Sequence, residues 1–238
     1  MNTSRTSATI VGILFVIGTA AGILSVLFTN PILQDTGDLV KVATNQRQLV
    51  SGALLVLIMA FALAMIPVVL FPILKTYNEA LALGAIVFRG VLESAAYLAI
   101  VISWLLLITL SQEYVASRTQ DLAYFQTLRA LLLGAQDWIA QLLAIVFSLG
   151  ALIIYYVFYQ SKLIPRWLSS WGLIGATLYL AAPLLRLFDV TLEILMLPLA
   201  VQEMVLALWL IVKGFNLTDI TYGPTNALAA QQVAPTDA

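Results

Sequence analysis

Three ionisable residues lie deep inside long apolar segments, where a charge is costly and is therefore a candidate functional group. Arg89 and Glu93 are four residues apart, so they share one face of a helix. Glu203 lies near the centre of another apolar segment, as Glu93 does, so the two carboxyl groups share a depth in the membrane. The pattern predicts either a polar site that binds a small molecule or a proton, or a structural ion pair that locks helices together.

Two further side chains belong to this predicted intramembrane site. Tyr97 lies one turn beyond Glu93 on the same helix face and could add a hydroxyl group. Gln202 precedes Glu203, although consecutive helix residues point in different directions. Because an acid that faced lipid would have no compensation, we expect the two segments to pack together, with Glu203 close to Arg89 or Glu93.

A second polar cluster is predicted near one edge of the membrane. By residue count, Asp137 and Arg186 each lie about 13–16 Å from the midplane. Charges so close to water are common, so a structural interpretation competes with an acidic vestibule that leads to the midplane site. We expect Arg186 to lie within hydrogen-bonding distance of one acid of this cluster. The outer cluster comprises Asp137, Gln141, Arg186, Asp189 and Glu193.

Two missing residue types exclude much chemistry. The chain of 238 residues contains no Cys and no His, which excludes disulfides, thiolate catalysis, His-bound haem and a Ser-His-Asp triad. Paired carboxyl groups could perform acid–base chemistry, but the neighbouring Arg89 disfavours a carboxylate-bound metal. We expect no cofactor and no metal, and the net charge of -1 argues against a nucleic-acid partner.

Membrane-spanning helices must position these side chains. The chain is 62% apolar and 10% charged, with a mean hydropathy of +1.00, whereas soluble domains are about half apolar and a quarter charged. Six runs reach the length of about 20 residues that crosses a bilayer, and their continuous apolar character indicates helices rather than a β-barrel. We predict an all-α, polytopic transmembrane helix bundle in residues 1–213 and a disordered tail over 214–238. The predicted spans are 8–28, 49–74, 80–110, 138–159, 168–187 and 192–212.

Three local patterns refine this plan. Gly18 and Gly22, four residues apart in span one, permit close helix packing. The segment 37–46 lacks Pro and is expected to carry a short helix. Apolar residues recur at helical spacing from Leu122 to Leu132, which predicts either an amphipathic surface helix or an extension of span four.

The loop charges predict the orientation in a cell membrane. Basic residues collect on the cytoplasmic side of membrane proteins. The side that holds the termini carries five basic residues, and the other side carries four, so we predict that both termini are cytoplasmic. The five are Arg5, Lys75, Lys162, Arg166 and Lys213, and the four are Lys41, Arg47, Arg118 and Arg129.

Four segments resemble a bacterial family of small multi-pass membrane proteins that share a domain of unknown function. They are 5–19, the Arg-Gly-Val-Leu-Glu sequence at 89–93, 163–176, which begins Leu-Ile-Pro-Arg-Trp, and 203–215. The resemblance extends from about residue 5 to residue 215. It implies a six-span bundle in the bacterial inner membrane, and it implies no activity.

Three functions compete on this sequence. The first is a small transport or ligand-binding bundle whose site contains Arg89, Glu93 and Glu203. The second is a non-catalytic partner or scaffold subunit whose charges only hold the helices together. An intramembrane enzyme is the least favoured. A cavity that reaches Glu203 would favour the first function, and complete pairing without a cavity would favour the second.

Overall fold

A computed structural model of the chain describes residues 3–34, 39–117 and 122–216. These residues form helices and short connections and contain no strand. The predicted tail lies outside the described residues, apart from 214–216. The elements are α1 (Thr3–Leu33), α2 (Leu39–Thr44), α3 (Gln46–Leu74), α4 (Glu79–Ala85), a π-helical segment (Ile86–Leu92), α5 (Glu93–Ala116), α6 (Leu122–Ser161), α7 (Arg166–Arg186), a 3-10 turn (Glu193–Met196) and α8 (Leu197–Val212).

Six of the described helical segments are long and apolar enough to cross a membrane, as predicted. Many large apolar side chains point outward from them, for example Leu27 and Leu131, each 64% exposed. Such a surface is stable in lipid and not in water. The protein is a multi-pass membrane protein. Spans one to six are Ser4–Leu33, Gln46–Leu74, Glu79–Ala116, Leu122–Ser161, Arg166–Arg186 and Glu193–Val212.

Two predicted details of the connections are confirmed. A short helix, α2, occupies residues 39–44, inside the segment predicted to carry one. The α6 helix begins at Leu122 and continues without a break to Ser161, so the amphipathic stretch is an extension of span four. Because this helix has 40 residues, at about 1.5 Å per residue, it exceeds the thickness of a bilayer core.

The glycines of span one bring α1 close to α3. A Cβ atom built on Gly18 would lie 2.7 Å from Leu63 Cδ2, and one built on Gly22 would lie 2.8 Å from Met59 Sδ. These distances are shorter than real Cβ contacts, so a larger residue at either position would force the Leu63 or Met59 side chain to move aside. The close packing predicted from the glycine spacing is confirmed.

The two ends of the bundle meet on one side. The Arg5 guanidinium donates hydrogen bonds to the carbonyl oxygens of Val212 and Lys213, both at 2.9 Å. These carbonyls belong to the end of α8, where a cation is favoured by the helix dipole. The start of span one and the end of span six therefore lie together, as an even number of spans requires.

Two apolar clusters fill the interior, one towards each end of the bundle. The cluster on the side of the termini includes Phe15, Ile66 and Ala85. The cluster on the opposite side includes Val56 and Ile100. Along spans one, two and three, the residues between these clusters form an intermediate layer. On span three, that layer contains Arg89 and Glu93 of the predicted intramembrane site.

Candidate functional site

The π-helical segment of span three carries Arg89. At its end, the Glu93 N–H donates to the Phe88 carbonyl oxygen, which is the wider hydrogen-bond pattern of a π-helix. The neighbouring span four supplies Gly150, where an added Cβ would lie only 2.6 Å from Arg89 Cγ. Glycine at position 150 thus creates the space in which the arginine side chain lies. Arg89 is 1% exposed and is among the largest fully buried side chains of the described residues.

Arg89 joins the two carboxyl groups that the sequence placed at one depth. Its Nε lies 3.4 Å from Glu93 Oε2, and its Nη2 lies 3.3 Å from Glu203 Oε1. The guanidinium also stacks on the Phe147 ring, with Cζ 4.4 Å from the ring centre. One cation thus faces two acids in a buried group. Arg89 Nη1 and Glu93 Oε1 are buried and have no hydrogen-bond partner among the described residues.

The side chains meet, but the helices that carry them do not pack along one another. The neighbours of α8 with extensive contacts are α1, α7 and the preceding 3-10 turn. The Arg89 side chain spans the gap to Glu203. Glu203 therefore faces the interior as expected, whereas the expectation that spans three and six pack together is wrong. The long reach of an arginine allows an ion pair between helices that are not direct neighbours.

Glu203 differs from the two other charges because it reaches open space. Its side chain is 14% exposed, against 1% for Arg89 and Glu93. The exposed part lines a cavity of about 450 Å³, and neither Arg89 nor Glu93 lines that cavity. The wall of the cavity therefore presents the carboxyl group, while the guanidinium lies behind it.

Aromatic and apolar side chains form most of the inner wall of this cavity. Tyr97 lines it, as the position one turn after Glu93 allows. Tyr179 of span five and Phe147 of span four line it too, with their ring centres 4.8 Å apart. Met59 and Leu63 of span two and Leu143 of span four add apolar side chains to the wall. The volume lies within the range of about 300–1,000 Å³ that is typical of small-molecule sites.

Gln202 turns away from the cavity. It is fully buried, and its Nε2 donates to the Leu168 carbonyl oxygen of α7 at 3.1 Å. Successive helix residues are rotated by about 100°, so the neighbour of Glu203 faces a different helix. Gln202 therefore connects span six to span five and does not line the cavity.

The outer cluster lines the mouth of the cavity and a second recess beside it. Arg186 and Glu193 line the main cavity. Asp137 and Asp189 line a recess of about 320 Å³. Gln141 and Arg186 line both, so the two spaces adjoin at these residues. The structure thus places all five members of the predicted cluster on the walls of two adjoining spaces.

The expected ion pair of Arg186 is absent. No acidic group of the described residues lies within ion-pair distance of it, although Asp189 follows it by three positions. Arg186, Asp137, Asp189 and Glu193 are all exposed, and none of them forms an ion pair with another described residue. Asp189 also has a backbone φ of 62°, in the left-handed region, at the turn that ends α7.

The sequence of nearly the whole chain matches one known family. Residues 10–214 match the family described as Domain of unknown function (DUF4386). The chain belongs to this family. This result confirms the resemblance noted from the four sequence segments. No curated protein and no solved structure matches the chain.

DUF4386 membership and the six apolar helices agree on an integral membrane protein whose molecular function the family does not define. The chemistry must therefore be argued from the site itself. Within the described residues, no group of three or more Asp or Glu side chains is arranged to hold a metal ion. What the site offers is a carboxyl group at the base of a cavity with aromatic walls.

Sequence reasoning missed several residues of this DUF4386 site. Phe147 and Tyr179 lie in segments that are apolar on all sides, so no periodicity distinguishes the cavity face from the lipid face. Gly150 had one usable signal, because glycine is costly within a helix unless close packing requires it. The π-helical segment has no signature in the composition of residues 86–92.

Proposed function

We propose that this protein binds or transports a small molecule that enters the cavity at the outer cluster and stops at Glu203. The observation that supports this most strongly is the 14% exposure of the Glu203 side chain into a cavity of about 450 Å³. A scaffold subunit with purely structural charges has no need of such a space. Burial of a carboxyl group at this depth is costly. Binding of a ligand by this carboxyl group in the cavity would account for its presence there.

The shape of the cavity supports one side of access. Its charged end lies where α7 ends and the connection to α8 begins, with Arg186, Thr191 and Glu193 in its wall. That end is opposite to the side on which Arg5 holds the end of α8. In the proposed orientation, the protein lies in a bacterial inner membrane with cytoplasmic termini. The cavity then opens towards the periplasm.

A screen with purified protein tests the proposal. A ligand that binds only the folded state raises the free energy of unfolding by about 2.7 kcal/mol at a concentration of 100 times Kd. We expect at least one small amphipathic molecule to raise the melting temperature of the detergent-solubilised protein. In the Ala144→Trp variant, a large side chain on the cavity wall occupies part of the cavity, so this variant should abolish that shift.

The matched control is Ala95→Trp, at an exposed position that does not line the cavity. This variant should keep the full ligand-induced shift. A shift that survives Ala144→Trp, or a broad screen with no shift at all, would contradict a ligand site in this cavity.

A further inference from the structure

The charged groups around the cavity favour one sign of charge on the ligand. Arg89 is buried behind the wall, and its two ion pairs leave one excess carboxyl group at the base. An anionic ligand would meet the Glu203 carboxyl group and could not reach the guanidinium. A cationic ligand would gain an attraction that is strong in a medium of low dielectric constant.

The mouth favours the same sign. Three acids, Asp137, Asp189 and Glu193, surround a single cation, Arg186. None of these acids is neutralised by an ion pair with Arg186. A cleft lined mainly by one sign of charge concentrates small molecules of the opposite sign.

The polar groups within the cavity indicate that the cation carries N–H groups. Gln141 is only 7% exposed, lines the cavity and makes no hydrogen bond with another described residue. Its amide group is open to the cavity, so its carbonyl oxygen can accept a hydrogen bond from a bound ligand. The Tyr97 and Tyr179 hydroxyl groups in the same wall can also accept hydrogen bonds.

The remaining wall indicates an apolar body. Met59, Leu63 and Leu143 line the cavity beside the aromatic rings. A ligand without an apolar part would leave this surface facing water, and a ligand with one would bury it. The cavity therefore suits a ligand that has one charged end and one apolar end.

We infer that the ligand of this cavity is a protonated primary or secondary amine with an apolar body, bound with its ammonium group between Glu203 and Gln141. This inference rests on the proposed function, because it names the chemistry of the ligand for the same site. The carboxyl group and the amide oxygen accept the N–H groups. The aliphatic and aromatic wall surrounds the body.

Isothermal titration with four matched probes tests the inference. The probes are 2-phenylethylammonium, its N,N,N-trimethyl derivative, the neutral 2-phenylethanol and the anionic 3-phenylpropanoate. A hydrogen bond to a charged group contributes about 1.5–3 kcal/mol, so we expect the primary ammonium to bind at least about tenfold more tightly than each of the others. Glu203→Gln should weaken ammonium binding by about tenfold or more, and Glu113→Gln, at an exposed position outside the cavity, should leave it unchanged.

A second variant covers the case in which Glu203→Gln fails to fold. Gln141→Met keeps the Arg89 ion pairs and should also weaken ammonium binding while leaving 2-phenylethanol binding unchanged. If the alcohol or the carboxylate binds as tightly as the ammonium, and Ala144→Trp blocks that binding, the ammonium inference is wrong while the proposed function stands. If no probe binds, the inference is wrong, and the wider ligand screen decides the proposed function separately.

Discussion

Arg89 of span three and Glu203 of span six, 114 positions apart in the chain, are joined by a contact of 3.3 Å between Nη2 and Oε1. The helices that carry them do not pack along one another, so this pair links two spans that are not direct neighbours. Arg89 contacts the Glu203 carboxyl group and does not itself line the cavity. The exposed part of that carboxyl group is presented to the cavity.

The first prediction concerns the buried arginine. Arg89→Met removes the only described cation near two carboxyl groups and leaves them uncompensated in a low dielectric. Removal of one partner of a buried ion pair typically costs about 3–5 kcal/mol. We expect a loss of this size in the free energy of unfolding, measured by denaturant titration in detergent.

The double variant Arg89→Met with Glu93→Leu controls for lost packing. It removes one of the stranded acids together with the cation, so part of the lost stability should return. If Arg89→Met leaves stability unchanged, the arginine does not hold the two acids in the bundle.

The second prediction concerns the glycine that makes room for Arg89. A Cβ at position 150 would lie 2.6 Å from Arg89 Cγ and 3.1 Å from the Arg89 backbone nitrogen, so Gly150→Ala forces the π-helical segment away from α6. Overpacking of this kind costs about 1–3 kcal/mol. The melting temperature of the variant should fall accordingly.

Gly134→Ala is the matched control in the same helix. Nothing lies within 4 Å of a Cβ built at position 134, so only helix propensity changes there. Alanine is the better helix former by about 1 kcal/mol, and this variant should be neutral or slightly more stable. Equal behaviour of the two variants would show that the close approach at Gly150 does not occur.

The third prediction concerns orientation. The chain contains no Cys, so a single introduced thiol reports its own position without background. Ala80 and Ala116 are exposed and lie at opposite ends of span three. In intact cells, a membrane-impermeant maleimide should label Ala116→Cys and should label Ala80→Cys only after permeabilisation. The reverse pattern would place the termini outside and turn the cavity towards the cytoplasm.

The spans could be predicted from the sequence because lipid imposes a simple requirement. Every backbone polar group must form its hydrogen bonds within its own helix, so a long continuous apolar run is predicted to be a membrane-spanning helix. The depth match between Glu93 and Glu203 followed from counting residues along such helices. The contact of Glu203 with Arg89 was predicted because an acid that faces lipid is costly. This contact is present in the structure.

The contacts between helices could not be predicted in the same way. A membrane helix is apolar on its lipid face and on its packed face, so the pattern does not reveal its neighbours. The prediction that span six packs on span three failed for this reason. Pro198 lies in the first turn of α8, where proline starts a helix without a kink.

The outer cluster shows a further limit of sequence reasoning. Residue counting placed Asp137 and Arg186 at one edge, and in the structure both line one recess. Residue counting could not predict whether these charges form an ion pair, because exposed charges are stabilised about as much by water as by each other. The acids of the outer cluster are therefore not paired with Arg186.

The most direct test of a ligand cavity at Glu203 is the rate at which a membrane-impermeant thiol reagent modifies Ala144→Cys, which lines the cavity wall. The account predicts modification from the side opposite to the termini, slowed by saturating 2-phenylethylammonium. It also predicts that Ala116→Cys, at an exposed position outside the cavity on the same side, reacts at a rate that the amine does not change. An Ala144→Cys thiol that never reacts, or that reacts at the same rate with and without every ligand found in the screen, would contradict the account.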